Sequence, residues 1–567
     1  PEHNIAWDFA ENELPALEYG SIPPCRREGN ALCFEIPEAG KGKVSCITVD
    51  LGADEWLPGT PVFDYEDGEA GMIVDFFYFH WLPDGRIHFR PEPGAGSELA
   101  MASRVHLGAE KGHCELNQIM GVRHVTLAVR ENTRPLKLKL SWRTAVYPMQ
   151  ITGDFRCSDK ILNDIYRICR HTQQVCSLDA FVDTPWREQS QWWGDARVQA
   201  KNTHFLTADP GLLRQGIHSI AGQHAPGNLT FADAPTTDCG CVLPDFCLTW
   251  IATLYDLWFQ TGATEHLDKQ KSRAEDIFAY FETTRGSDGL LKADPRYWLF
   301  EDWCDLPKNA TPTFLNLWHL YAETLYCKLL HHAGCEADAQ KLEAKIAAER
   351  KLLAEAFFDP EQGLFVPENG RRNGVPSVHD QVLALLLELR PEAKDSMIEK
   401  RILPCLKGTL SGCAEPSSFW STYLLDAAQM YGLRAEALEY IRREWAKMVP
   451  TGTAWETFGK GDYSGWSYSH AWSAHPLSHL PELVFGVKQT EDAWRRVEFS
   501  PLFTAPDSAE LVLPTPQGTI RASLKRSGQT AELDFEIPAG MCAQIRLPGE
   551  TIRTNGEAAV ISRKLSV

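Results

Sequence analysis

The apolar positions of this chain change period twice. Up to about residue 150 they alternate with polar ones over short runs: Val44–Leu51, Met72–Phe79, Arg86–Phe89, Val125–Val129 and Leu136–Trp142. Alternation puts every second side chain on one face of a strand, and the turn cluster Leu82-Pro-Asp-Gly-Arg86 reads as a hairpin. An all-β sandwich follows, gathering no catalytic residue types and so reading as a packing or supporting domain. From 151 to 487 the spacing is helical, beginning with Ile161, Leu162, Ile165, Ile168 and Cys169 on one face of a helix capped through Cys157-Ser158-Asp159. The pattern predicts twelve helices, at 158–178, 193–206, 210–222, 244–262, 265–284, 311–334, 337–358, 378–389, 395–405, 417–431, 434–448 and 468–482. Alternation returns from 488, at Ala509–Leu513, Gly518–Leu524, Ala531–Ile537 and Ala543–Leu547, as a small C-terminal sandwich.

Twelve helices are six αα-hairpins, the count of an (α/α)6 toroid. The expected architecture is therefore multidomain: an N-terminal β-sandwich (1–150), a helical barrel (151–487) and a C-terminal β-sandwich (488–567). Links after the even helices are short, as at Thr207-Ala-Asp209, Gly262-Ala-Thr264 and Ala333-Gly-Cys335, whereas links after the odd helices are long. In an alternating barrel all the long links emerge at one end, and long ordered loops usually carry function.

Those long links hold the acidic and aromatic residues. The first contains Asp183-Thr-Pro-Trp-Arg-Glu-Gln-Ser-Gln-Trp-Trp-Gly-Asp195, with three carboxylates, one guanidinium and three indoles. Pro185 and Gly194 interrupt any helix there. The second holds Asp233, Asp238 and Asp245, the third Trp298, Glu301, Asp302, Trp303 and Asp305, and the fifth Glu415 ahead of Phe419-Trp420. The sixth holds Trp455-Glu456-Thr457-Phe458, and the last helix is expected to open on Tyr468-Ser-His470-Ala-Trp472. Indole faces stack on sugar rings while carboxylates grip hydroxyls and supply acid and base, so the rim reads as a carbohydrate site. A structural Asp–Arg–Trp knot is the plainer alternative for the first stretch, and a helix N-cap the plainer role for Asp245.

Composition narrows the partners. The formal net charge is −20, spread along the chain, which argues against nucleic acid or an anionic membrane surface as partner. No apolar run approaches the roughly 18 residues of a transmembrane helix. The first residues carry no basic and apolar leader. Sixteen scattered cysteines, several in helical apolar patterns, suit reduced thiols and a cytoplasmic protein. Cys239-Gly-Cys241 lacks zinc-site spacing, and neither a phosphate-binding glycine loop nor a metal-ligand motif stands out, so no cofactor is expected. A homodimer is a fair expectation.

The pattern Asp183-x3-Arg187-Glu188-x3-Trp192-x2-Asp195 resembles the central motif of bacterial α-L-rhamnosidases of glycoside hydrolase family 78. Phe155-Arg-Cys-Ser158-Asp159, Phe300-Glu-Asp302-Trp303, Ala454-Trp455-Glu456, Ser469-His470-Ala471 and the Thr515-Pro-Gln-Gly-Thr-Ile run resemble further elements of that family, over roughly residues 150 to 567. The chain departs from it in being short, without room for an extra sugar-binding sandwich, and in Trp186 and the doubled Trp192-Trp193. The resemblance implies release of a terminal α-L-rhamnosyl residue with inversion, Glu188 acting as general acid and Glu456 as general base. An inverting pair stands about 6.5–9.5 Å apart with water between substrate and base. Asp183, Arg187, Asp195, Asp302 and His470 are then candidate hydroxyl ligands, and Trp192, Trp193, Trp303, Trp420, Trp455 and Trp472 candidate walls of the sugar pocket. His475 and His479 read as packing residues. Another six-hairpin glycosidase, a uronic lyase (disfavoured by the acidic rim) and a catalytically silent sugar-binding relative are the competing readings.

Overall fold

The computed structural model describes residues 26–28, 31–40, 42–52, 56–80, 101–130, 132–236, 240–369, 375–459 and 467–566. The hairpin at Leu82–Arg86, the strand at Arg86–Phe89, Asp238, Cys239 and the first residues of the chain lie outside these. Two sheets form the N-terminal region. One orders Arg26–Glu28, Ala31–Ile36, Leu136–Thr144, Gly59–Glu66 and Gly112–Glu115; the other orders Val44–Asp50, His124–Arg130, Ile73–Phe79 and Ala102–His106. Their alternating apolar faces bury Phe34, Phe63, Phe76, Leu127 and Leu138 in one core.

Twelve helices follow among the described residues. They are α1 (Lys160–Val175), α2 (Trp193–Leu206), α3 (Gly211–Gly222), α4 (Pro244–Thr261), α5 (Glu265–Thr283), α6 (Thr313–His332), α7 (Glu336–Ala356) and α8 (Val378–Leu386), then α9, α10 (Ser421–Met430), α11 (Arg434–Trp445) and α12 (Pro476–Phe485). Helix α9 joins Lys394–Met397 to Leu403–Lys407 through a π-helical turn, Ile398–Ile402. The even helices are buried on nearly every face, whereas α5, α7 and α11 keep a polar face in solvent, the division expected of inner and outer helices. Helix α2 packs on α4, α4 on α6, α6 on α8, α8 on α10, α10 on α12 and α12 back on α2.

Two boundaries differ most from the sequence reading. Helix α12 starts at Pro476 rather than 468, because proline suits the first helical turn and His470 before it is extended, its N–H bonded to the Ala454 carbonyl. Residues Asp154–Cys157, expected to open the helical region, are instead an edge strand of the C-terminal five-stranded sheet, antiparallel to Ser508–Thr515. Asp159 then caps α1, its carboxylate accepting from the N–H groups of Ile161 and Leu162. The C-terminal sheets share one continuous core with the helices. Among the described residues no helix is long and apolar enough to cross a membrane.

Candidate active site

Four of the six long links converge on a cavity of about 400 Å³. Arg187, Glu188 and Trp192 come from the link before α2 and Asp195 from the first turn of α2. Cys241 and Leu243 precede α4, which adds Phe246; Trp298, Phe300 and Trp303 lie between α5 and α6; and Glu456, His470 and Trp472 lie between α11 and α12.

Arg187 is the junction of this wall. One guanidinium nitrogen donates to Glu188 and the other to Glu456 Oε2 at 2.7 Å, while Nε donates to Ser467 Oγ at 3.0 Å. Ser467 in turn donates its backbone N–H to the same Glu456 oxygen at 2.8 Å. The indole N–H of Trp192 donates to the other oxygen of Glu188 at 2.9 Å. Burial pushes the Glu456 pKa above the usual carboxylate range; the Arg187 charge and the Ser467 N–H work against that push. Charge-assisted bonds of this kind fix orientation as well as charge.

Behind this pair lies a second acidic layer. Asp183 is fully buried and accepts the Ser190 N–H at 2.9 Å, and Asp195 is buried at the N-terminus of α2. Burial, with Glu188 beside each, raises both carboxyl pKa values well above normal. His470 sits between them, Nε2 3.8 Å from Asp183 and Nδ1 3.5 Å from Asp195. Burial and the neighbouring Arg187 depress its pKa well below normal, so the ring is neutral. The arrangement gathers four carboxyls and a buried imidazole at and behind the cavity wall, with one guanidinium bonded to two of the carboxyls.

Not every sequence candidate reaches the cavity. Trp193 is fully buried, its indole N–H directed to Thr253 Oγ1, because the first turn of α2 turns it inward. Trp420 packs among Phe314, His379 and Tyr423. Trp455 donates to Thr451 and meets Tyr468 edge-on. Asp302 is buried one shell out: it accepts from His379 Nε2 at 2.8 Å and from the N–H and hydroxyl of Ser417, tying the third link to the fifth. Asp245 is not the N-cap of α4. It lies inside the first turn and accepts the N–H groups of Phe300 and Glu301, bracing the loop that carries Trp303. Asp302, Cys304 and His379 bring three metal-capable atoms together, but the Asp302 oxygens are already engaged by Ser417, Trp303 and His379. The described cysteines are free thiols.

Sequence reasoning missed the apolar part of the lining, Leu243, Phe246 and Phe300, and the double role of Ser467. The signal for Phe300 was available, since it stands between Trp298 and Trp303. Ser467 offered none, a serine in a loop being unremarkable until its partners are placed.

Residues 150–484 match the bacterial alpha-L-rhamnosidase six-hairpin glycosidase domain, and residues 486–561 match the bacterial alpha-L-rhamnosidase C-terminal domain. No curated protein sequence matches the chain. Among solved structures, the fold is similar to that of a family 78 rhamnosidase of Bacillus sp. GL1. The TM-score is 0.78 at 25% identity, over 86% of this chain and 51% of that one. The α-L-rhamnosidase of Aspergillus terreus follows at TM-score 0.75 and 18% identity, over 96% and 64% of the two chains. A rhamnosidase from Klebsiella oxytoca with rhamnose bound gives 0.66 and 20% identity, over 79% and 88%. The chain thus spans about half of the Bacillus enzyme and under two thirds of the Aspergillus one.

Proposed function

The chain belongs to the bacterial α-L-rhamnosidase six-hairpin glycosidase family, and on that premise we propose that it hydrolyses terminal α-L-rhamnosides of small glycosides or oligosaccharides with inversion. The ring of even helices, each touching the next and α12 returning to α2, is read as a closed (α/α)6 toroid with the cavity at the end where the long links emerge. One observation carries the catalytic reading: Glu188 and Glu456, from opposite ends of the helical region, meet at a single guanidinium on the cavity wall.

In this reading Glu188, at the solvent-facing side of the wall, protonates the departing glycosidic oxygen. Glu456, buried and oriented by Ser467, takes a proton from the attacking water on the opposite face. The Arg187 bridge holds the two carboxyls in register until substrate takes up part of the guanidinium's hydrogen-bonding capacity. Asp195 and His470 reach the sugar hydroxyls, and Trp192, Trp303 and Trp472 enclose the ring. Asp183 is not among the lining residues and lies behind His470, 3.8 Å from its Nε2. The neutral His470 and the raised Asp195 pKa leave this layer able both to donate to and accept from hydroxyls.

The test is release of p-nitrophenol from a panel of aryl glycosides, α-L-rhamnoside included, by wild type, Glu188→Gln and Glu456→Gln. Proton NMR of the first-formed sugar anomer reports the stereochemistry. Cleavage of the rhamnoside to the inverted anomer, lost in both variants, supports the proposal. Cleavage of a different sugar keeps the site and changes the substrate; a retained anomer overturns the base role of Glu456; a silent wild type favours a sugar-binding relative.

A further inference from the structure

Among the described residues the N-terminal sandwich supplies none of those lining the cavity, yet it touches both of the loops that build its carboxylate pair. His80, at the end of strand Ile73–Phe79, is buried and accepts the backbone N–H of Tyr468 on Nδ1 at 3.1 Å. Its ring lies 4.6 Å from that of Trp186 and 6.4 Å from that of Trp56. The carbonyl of Tyr78, two residues before, accepts the Trp186 indole N–H at 3.1 Å. Trp186 immediately precedes Arg187 and Glu188. Tyr468 immediately follows Ser467, which binds both Arg187 and Glu456.

Two further contacts pin the same loop to the sandwich. The Gly121 N–H donates to the Pro185 carbonyl at 2.7 Å, and the Gln189 amide donates to the carbonyls of Ile119 and Pro185. Gln189 has a φ of +52°, a conformation that a non-glycine residue keeps only where its surroundings over-determine it.

We propose that His80 is a positioning residue of the active site, its imidazole setting the spacing between the Arg187–Glu188 loop and the Ser467–His470 segment. The inference rests on the glycosidase reading above. A histidine fits here because it combines a flat ring that packs at a 44° tilt against Trp186 with an sp² acceptor for a buried amide. Phenylalanine supplies only the ring, and asparagine only the acceptor. The acceptor must be unprotonated, and burial beside the Arg187 guanidinium, which holds the His80 pKa down to about 3, keeps it so.

The experiment compares wild type, His80→Phe and His80→Asn by steady-state kinetics on whichever glycoside wild type cleaves. Hydrogen exchange of the segments containing residues 183–190 and 467–472 is measured on the same proteins. The expected result for His80→Phe is a kcat about 10- to 100-fold lower, KM within a few-fold of wild type, and faster exchange at Tyr468. His80→Asn should recover Tyr468 protection and part of kcat. Unchanged kcat in His80→Phe, or unchanged exchange at Tyr468, overturns the proposal. Should wild type cleave nothing, the glycosidase reading fails, while the exchange data still decide whether His80 orders the two segments. Should His80→Phe not fold, Tyr468 protection in His80→Asn carries the decision: protection kept supports the role, protection lost overturns it.

Discussion

Arg187 and Glu456 are bonded at 2.7 Å although 269 positions separate them in the chain. The contact joins the link after α1 to the link before α12, so it exists only where the first and last helices are neighbours, as they are here. The same guanidinium engages Glu188, and the two carboxyls therefore differ in what else holds them: Ser467 and burial for Glu456, Trp192 and partial exposure for Glu188.

Under the proposed acid and base roles, the leaving group distinguishes the two. Glu188→Gln is expected to lose about 10²- to 10⁴-fold in kcat on glycosides with poor leaving groups and far less on a dinitrophenyl glycoside, which needs no proton. Glu456→Gln should lose a similar factor on both. An equal penalty for Glu188→Gln on both substrates would mean that it is not the acid.

Arg187→Met removes the charge that holds the Glu456 pKa down against burial. A base works ionised, so the acid limb of the kcat/KM profile should move to higher pH in the variant, with a lower plateau. A limb that stays in place, or moves down, rules out Glu456 as the group titrating there.

The two kinds of tryptophan should respond oppositely. Trp193→Ala deletes a fully buried indole and is expected to cost about 3–5 kcal/mol of stability. Trp303, 43% exposed at the cavity mouth, should yield a Trp303→Ala variant that melts near wild type and shows a raised KM. Paired thermal melts and kinetics distinguish them.

Gly121→Ala should disturb both fold and site. A Cβ there would lie 2.3 Å from Pro185 Cβ, where the sandwich meets the Asp183–Asp195 loop. An overpacking cost of about 1–3 kcal/mol is expected from the denaturant midpoint, together with reduced kcat. A neutral outcome would mean that the loop can retreat without consequence.

Stability on acidification carries a signature from His204, buried in α2. Burial depresses its pKa from 6.5 to about 3. Between those values the unfolded chain holds more protons than the folded one, so the stabilisation present above pH 6.5 drains away as pH falls. His204→Gln should lack this term, and the wild-type slope should exceed the variant's by up to about 1.4 kcal/mol per pH unit in that window. Parallel denaturant titrations at several pH values measure it.

Much of the helical region was legible because apolar periodicity is a local property: the twelve predicted segments correspond to α1–α12, with ends shifted at α12 by Pro476. The acidic rim was legible from loop length and residue type. Which face an indole takes was not. Trp192 and Trp193 are adjacent, and only the placement of α2 against α4 sends one to the cavity and the other to the core. Asp302 and Asp245 read as ligand and cap, but each is spent on bracing a loop from another link, a tertiary pairing with no local sequence mark. Strand Asp154–Cys157 was missed for the same reason, its partners lying at the far end of the chain.

That strand sets the order in which the molecule can be completed. A ribosome making the chain releases Ser158 350 residues before Ser508, its partner across the sheet junction. The peptide leading into α1 therefore emerges with an open β-edge, and nascent helices accumulate behind it before Ser508–Thr515 arrives to close that edge. The last sandwich is thus the keystone of synthesis: its arrival fastens the beginning of the helical region to its end, and chains halted short of it leave the ribosome with that seam unjoined.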